Sequence, residues 1–448
     1  MKKIIETIKN IWRIEDLRTR LLITFLFVAI YRLGSFVVLP GIDPTALSAL
    51  HEQTSEGLMS LLNMFSGGAF ENASVFALGI MPYISASIVI QLLAVAVPSF
   101  QKLQREGESG RRKINQYTRW LTVFILLFQA PTYLINLRAQ TAGSNAFLVG
   151  DGFNFMLTST LILAAGSMFI LWLGERITDK GVGNGVSLII MIGIVARMPG
   201  AIGEEFVSAI SGAEGGGLIK FLFEIIALLF VMALAILLTQ AVRKVPVQYA
   251  KRVEGNRQVG GARQYIPLKL FAANVMPIIF AQAIMFIPMM IVNAGSTEGP
   301  SWLGQQFQDN TSWLYNIVYV ILIIAFTYFY TAITMNPVQM SEDMKRNNGF
   351  IPGVKPGKPT ADFIDTVMSR ITLPGSLFIA IIAILPAFAS IFGIKHGFAQ
   401  FFGGTSLLIL VGVVIDTLQQ IESYMMVRHY DGLLNSGPQR SRSRVKAY

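Results

Sequence analysis

Residues 218–242, LIKFLFEIIALLFVMALAILLTQAV, carry only Lys220 and Glu224 as charges, and Arg243-Lys244 follow at once. About 20 residues of helix cross a hydrocarbon layer of ~30 Å, so an apolar run of this length that ends on cations reads as a membrane span. Working outward, the pattern repeats near 20–39, 74–97, 119–138, 154–173, 185–199, 268–293, 313–334, 371–390 and 401–421. The expectation is an all-α, polytopic protein with ten transmembrane helices. Composition agrees: 448 residues that are 53% hydrophobic and only 14% charged, with a mean hydropathy of +0.55, exceed what a soluble core can hide.

Charge placement gives the orientation. Of 36 Lys and Arg residues, 31 fall in the stretches 1–20, 98–120, 174–184, 243–269, 335–370 and 421–448. Loops rich in Lys and Arg stay in the cytoplasm, so both termini are expected there. The other loops agree: no cation lies between Arg32 and Lys102, where Asp43, Glu52, Glu56 and Glu71 occur, and 294–312 holds only Glu298 and Asp309. The first apolar run is followed by Val38-Leu39-Pro40-Gly41 rather than a small-residue cleavage site, so it reads as a retained first span. The chain has no Cys, and His51, His396 and His429 lack ligand spacing, so neither a metal nor a cofactor is expected. The net charge of +10 reads as a topology signal with attraction to anionic membrane lipids.

Uneven features carry the functional information. The fifth window, Gly185 to Met198, is short and rich in glycine. A half-length apolar piece, Gly57 to Phe65 closed by Ser66-Gly67-Gly68, cannot span; it is either a surface helix or a re-entrant segment shielded by other helices. In loop 243–269, Val245-Pro246-Val247-Gln248-Tyr249 reads as a strand entering a hairpin that turns near Gly255-Asn256. Its cations include Arg243, Lys244, Lys251, Arg252 and Arg257; loop 335–370 carries Lys345, Arg346, Lys355 and Lys358 among prolines and glycines. Loops this long project past the lipid headgroups and read as docking surfaces rather than inert charge. Ten spans can divide as five plus five, with the basic loop 243–269 just after the sixth; an odd number of spans per half then makes the second half inverted relative to the first, in pseudo-symmetry.

Charges that pumps place mid-bilayer are nearly missing. Arg32, Glu224 and Asp416 read as interfacial or paired structural charges. Gly181-Val182-Gly183-Asn184-Gly185 follows a membrane helix rather than a strand, and Gly353 to Pro359 lacks phosphate-loop spacing, so no direct nucleotide binding is expected. No catalytic constellation is present in the spans, and the chain is not expected to be an enzyme. What the spans hold is uncharged polarity, including Ser87, Gln91, Gln129, Asn274 and Gln282. Such groups pair helices weakly, and a seam that opens needs contacts of that strength. A secondary transporter and a poreless membrane scaffold are the competing classes.

Several motifs in order resemble one family: Met64 to Ala69, Ala77 to Ser87, Glu106-Gly107-Glu108-Ser109-Gly110-Arg111-Arg112-Lys113, Gly181 to Gly185, and Phe402 to Leu408. Together they look like the SecY family, the channel subunit of the bacterial Sec protein translocase, over about residues 15–434. The resemblance implies a clamshell of two halves, 1–200 and 201–434, followed by a basic tail, 435–448. It implies a plug near 57–68, containing Leu58, Leu61, Leu62, Asn63, Met64 and Phe65, and an apolar pore ring of Ile80, Ile84, Ile190, Ile279 and Ile409. Ser87, Gln91 and Asn274 then fall at a lateral gate through which signal sequences reach lipid. The implied partners are the SecE and SecG small membrane subunits, the SecA ATPase, the ribosome, and signal sequences and preproteins. Two positions depart from the family pattern: Lys355 stands for Arg in the motif Gly-x-Arg-Pro-Gly, and Asn256-Arg257 stands for an Arg-Arg pair. Lys keeps the charge but loses the planar fork of Arg.

Overall fold

The described residues are mostly helical, and the helices follow the apolar windows with shifted ends. The structure is a computed structural model describing residues 12, 14–44, 63, 65–141, 147–148, 152–211, 217–249, 252–254, 257–259, 263–270, 275–282, 284–285, 306 and 311–435. The helices are α1 (Glu15–Gly34), α2 (Met81–Ala96), α3 (Pro98–Arg105), α4 (Glu108–Gln140), α5 (Phe153–Lys180), α6 (Gly185–Ser211) and α7 (Gly217–Gln240). After the basic loop come α8 (Trp313–Thr334), α9 (Pro337–Arg346), α10 (Lys358–Ile391) and α11 (Gly404–Asn435). Among the described residues seven helices are long and apolar enough to cross a membrane, or eight if the bent α2–α3 pair is one span. The 20-residue α1 and the helical stretch 276–282 occupy the remaining two windows. Phe25, Trp120, Phe128, Phe223 and Phe230 stand exposed on the outside, which only a lipid surround tolerates in such number.

Local chemistry explains the shifted ends. The first span stops at Gly34 rather than 39, and Val37 and Leu39 instead pair with the chain at 73–75 through Val75 N–H to Val37 O (2.8 Å) and Leu39 N–H to Ala73 O (2.9 Å). The second begins at Met81 rather than 74, because Gly79 takes a left-handed φ of 54° and Pro82 opens the helix. Val97, held extended before Pro98, separates α2 from α3, and the chain turns by 103° there. The fifth span is a correction: its apolar window is short, but α6 is 27 residues long, passing through Pro199 and Glu205 and across the expected half boundary at 200. The seventh window loses its first residues to a strand.

That strand belongs to the one addition to an otherwise helical fold. β1 (Val242–Tyr249) pairs antiparallel with β4 (Arg263–Lys269) on one edge and with β5 (Gly349–Phe350) on the other. Between them β2 (Arg252–Glu254) and β3 (Arg257–Val259) form the expected hairpin, joined by residues 255 and 256. Val245, Val247, Leu268, Met344, Ile351, Ile364 and Met368 bury together, so the two basic loops make one folded unit rather than two separate projections. α9 is capped by Asn336, which accepts from Gln339 N–H at 3.2 Å, and ends on Lys345 and Arg346, opposite in sign to its C-terminal dipole.

The glycine motif at 181–185 locks the bundle at its basic end. Thr24 of α1 accepts from Val182 N–H (3.1 Å), Thr178 from Gly185 N–H (2.9 Å), and Gln420 of α11 from Gly183 N–H (2.9 Å). The N–H groups of Val182, Gly183 and Gly185 are taken by side chains and that of Gly181 by the Ile177 carbonyl, so the motif is a helix clasp, not a phosphate loop. A Cβ at Gly185 would sit 1.9 Å from the Gly174 carbonyl oxygen. Gly185→Ala is therefore expected to destabilise the protein by about 2 kcal/mol through overpacking, read as earlier thermal unfolding in detergent; wild-type unfolding would contradict this backbone crossing.

Candidate functional site

An apolar cluster where α1, α2, α6 and α11 meet holds three of the five expected ring residues. Ile80, Ile190 and Ile409 are buried there with Phe65, and Ile84 packs against them. Ile80 sits at the N-cap of α2, Ile190 in α6 and Ile409 in α11, so separate elements contribute to one buried cluster. Ile279 is half-buried in the stretch 276–282, where Val275 is the neighbour that packs on the cluster.

Residues 65–80 enter this interior as irregular chain, while the half-length apolar piece before them lies, apart from Asn63 and Phe65, outside the described residues. Asn63, Phe65 and Ser66 are buried. Leu58, Leu61, Leu62 and Met64 lie outside the described residues, as do Asn274, Lys251 and the tail beyond 435. Backbone groups without a helical partner need one from elsewhere in a membrane interior, and here side chains supply it. Tyr31 OH donates to Ser66 O (3.2 Å), Arg32 Nη1 to Gly67 O (2.7 Å) and Tyr133 OH to Phe70 O (2.9 Å). Glu71, 5% exposed, accepts from the Asn63 amide and from Arg197 Nη2 of α6 (3.1 Å), while its own N–H donates to Asn63 Oδ1 (3.2 Å). Gly67 has φ of 65°, and a Cβ on it would come within 2.8 Å of Gly193 Cα, so the turn lies directly on the α6 backbone.

The sequence pointed to Asn63 and Phe65 but not to their anchors. Arg32, read from sequence as an interfacial or paired charge, bonds the turn, and Glu71 reads as ordinary loop acidity until Arg197 is found opposite. A signal existed: Arg32, Arg138, Arg197, Lys220 and Lys395 are the five cations outside the six basic stretches. Arg32 and Arg197 bond within the protein, as does Lys220, which reaches Gly393 O at 2.7 Å. Asp416 is exposed on α11.

The two expected gate residues that are described also come together. Gln91 Nε2 donates to Ser87 Oγ (3.3 Å), and Gln91 Oε1 accepts from Tyr330 OH of α8 (2.6 Å). At the basic end Arg243, Lys244, Lys345, Arg346, Lys355 and Lys358 are all exposed, with Lys355 held on a loop by Thr360 Oγ1 to its carbonyl (2.8 Å) and Ser341 Oγ to Gly357 O (2.7 Å). Strands β2 and β3 carry Arg252 and Arg257.

A sequence model described as SecY matches residues 74–418. The chain is 42% identical over 436 residues to the "Protein translocase subunit SecY" of Streptomyces scabiei, covering 94% of this chain and 98% of that one. Its fold is similar to a SecY channel described as having a plug domain that stabilises the closed state and maintains a membrane seal, with a TM-score of 0.61, 17% identity and 95% of each chain covered. It is also similar to the channel of a canine ribosome-channel complex from the endoplasmic reticulum, with a TM-score of 0.56, 17% identity and 95% coverage of each chain.

The anchored turn makes a stability prediction. Removing one partner of a buried ion pair strands the other, so Arg197→Ala and Glu71→Ala should each destabilise by ~2 kcal/mol, discounted from the fully buried case because Arg197 is partly exposed. The double variant should be less destabilised than the sum, as measured by unfolding in detergent; additive effects would contradict the pairing.

Proposed function

This chain belongs to the SecY family, and on that footing we propose that it is the central channel of a protein translocase, without enzymatic activity of its own. It passes unfolded secretory polypeptides across the bacterial inner membrane and releases apolar segments sideways into lipid. The observation that carries this reading is the burial of Ile80, Ile190 and Ile409 in one apolar cluster against Phe65 of an irregular inward segment. A narrow apolar waist offers ions no replacement for their hydration and dewets readily, yet it makes no demand on the chemistry of a passing side chain. That suits a conduit for any sequence.

In the closed state the turn at 63–71 fills the space beside the waist, held by Tyr31, Arg32, Tyr133 and Arg197. Opening moves this plug away and parts the two halves of the bundle at the α2–α8 seam. A signal sequence, a basic stretch followed by an apolar core, keeps its cations near the cytoplasmic headgroups while its core enters the seam. Each apolar residue gains about 0.3 to 0.6 kcal/mol on reaching lipid, enough in sum to offset a few weak polar contacts. Both termini are cytoplasmic in this reading, because the basic loops then face the compartment where chains are made.

Lacking a nucleotide motif, the channel takes its driving force from partners: the SecA ATPase or the ribosome at the basic unit, with SecE and SecG alongside in the membrane. The exposed cations at 243–244, 345–346, 355 and 358 suit an acidic protein groove or ribosomal RNA. Reconstitution of the chain with its small subunits, the ATPase and a preprotein tests the whole reading: protease-protected preprotein inside the vesicles supports it, and none refutes it.

Two substitutions test its parts. Ile80→Gly opens the waist and should raise ion conductance in planar bilayers severalfold; unchanged conductance would count against the seal. Lys355→Glu reverses an exposed charge and should impair partner-driven translocation without altering thermal unfolding; wild-type transport would remove Lys355 from the docking surface.

A further inference from the structure

The α2–α8 seam is closed by long side chains reaching across it. Phe280, from the stretch 276–282, lies 5.6 Å from the Phe326 ring and 5.2 Å from the Tyr330 ring, and Ile88 and Leu92 of α2 pack against this group. Within that apolar contact one bond joins helices far apart in sequence: the Tyr330 hydroxyl donates to Gln91 Oε1 at 2.6 Å. Gln91 in turn donates to Ser87 on its own helix. Tyr330 is 6% exposed and Gln91 is half-buried, so the bond lies at the edge of the apolar contact.

This geometry gives the hydroxyl a role separate from the ring. The ring packs on Phe280 whether or not the oxygen is present. The oxygen satisfies a carboxamide acceptor that would otherwise face an apolar surface, so it favours the closed seam and is lost when the seam parts. An apolar segment entering between α2 and α8 has to offset that loss, and a weakly apolar one has less to offer.

We propose that Tyr330 is a specificity-determining residue of the seam, its hydroxyl bond to Gln91 setting how apolar a segment must be to separate α2 from α8. The assignment rests on the channel reading and goes beyond it by naming a residue that no sequence motif singled out.

The test uses the full chain in proteoliposomes with its small subunits and the ATPase, and two preproteins: one with an intact signal core and one whose core is weakened by polar substitutions. Tyr330→Phe keeps the ring packing and removes only the donor. It should raise the ratio of weak-signal to intact-signal translocation by about threefold, the Boltzmann factor of ~0.6 kcal/mol for an average interhelical hydrogen bond. Gln91→Leu should raise the ratio similarly, and the double variant should rise no further than either single one. An unchanged or lowered ratio for Tyr330→Phe, or additive effects in the double variant, would overturn the assignment while leaving the channel reading intact. Failure of the wild-type chain to translocate either preprotein would overturn both.

Discussion

Irregular backbone inside a membrane protein must have its polar groups satisfied by the protein itself. Residues 65–80 meet that constraint with backbone turns of their own and with side chains from the helices around them: Tyr31 and Arg32 of α1 and Tyr133 of α4 donate to the carbonyls of Ser66, Gly67 and Phe70, while Arg197 of α6 pairs with the Glu71 carboxylate. Other features of the site depend on this. The bonds hold the chain that leads into α2, and Phe65 and Ile80 at its two ends are buried in the same apolar cluster as Ile190 and Ile409. The same contacts are few enough to be exchanged as a unit, which a continuous helical ladder could not be.

The bundle is tied unequally around its interior. At the basic end, α5 and α6 cross backbone to backbone at Gly174 and Gly185, and α1 and α11 fill the donors of the glycine turn between them. At the α2–α8 seam the contact is made through side-chain tips, with aromatic packing and a tyrosine hydroxyl. Close backbone packing resists displacement, because nothing small can rearrange to relieve it. Long side chains can rotate away and find new partners. The asymmetry matches a body that pivots on one side and parts on the other.

Much of the fold was legible in hydropathy, and its misreadings have a physical pattern. The window 313–334 coincides with α8 because Ser312 and Asn336-Pro337 bound it with helix signals. The first two windows ran wrong at 35–39 and 74–80, where the chain is as apolar as a helix but pairs with itself as bridge and turn. Hydropathy reports where a residue resides, not its backbone angles; Gly79 and Pro82 were the available correction. The fusion of the two basic loops could not be read locally, since Gly349–Phe350 joins Gln248–Tyr249 across about 100 residues of sequence. At the site, resemblance pointed to the isoleucines, Gln91 and Ser87. The anchoring residues Tyr31, Arg197 and Tyr330 come from different helices and Glu71 from the irregular segment, and partnership between separate elements leaves no periodicity to detect.

The central claim is that the cluster of Ile80, Ile190 and Ile409 surrounds the path of a polypeptide in transit. Photo-crosslinking amino acids placed at those positions, with a preprotein arrested midway by a folded tail, test it most directly. Adducts to the arrested chain from all three, with none from the exposed lipid-side position Phe230, are the predicted result. Adducts from position 230 with none from the three isoleucine sites would contradict it.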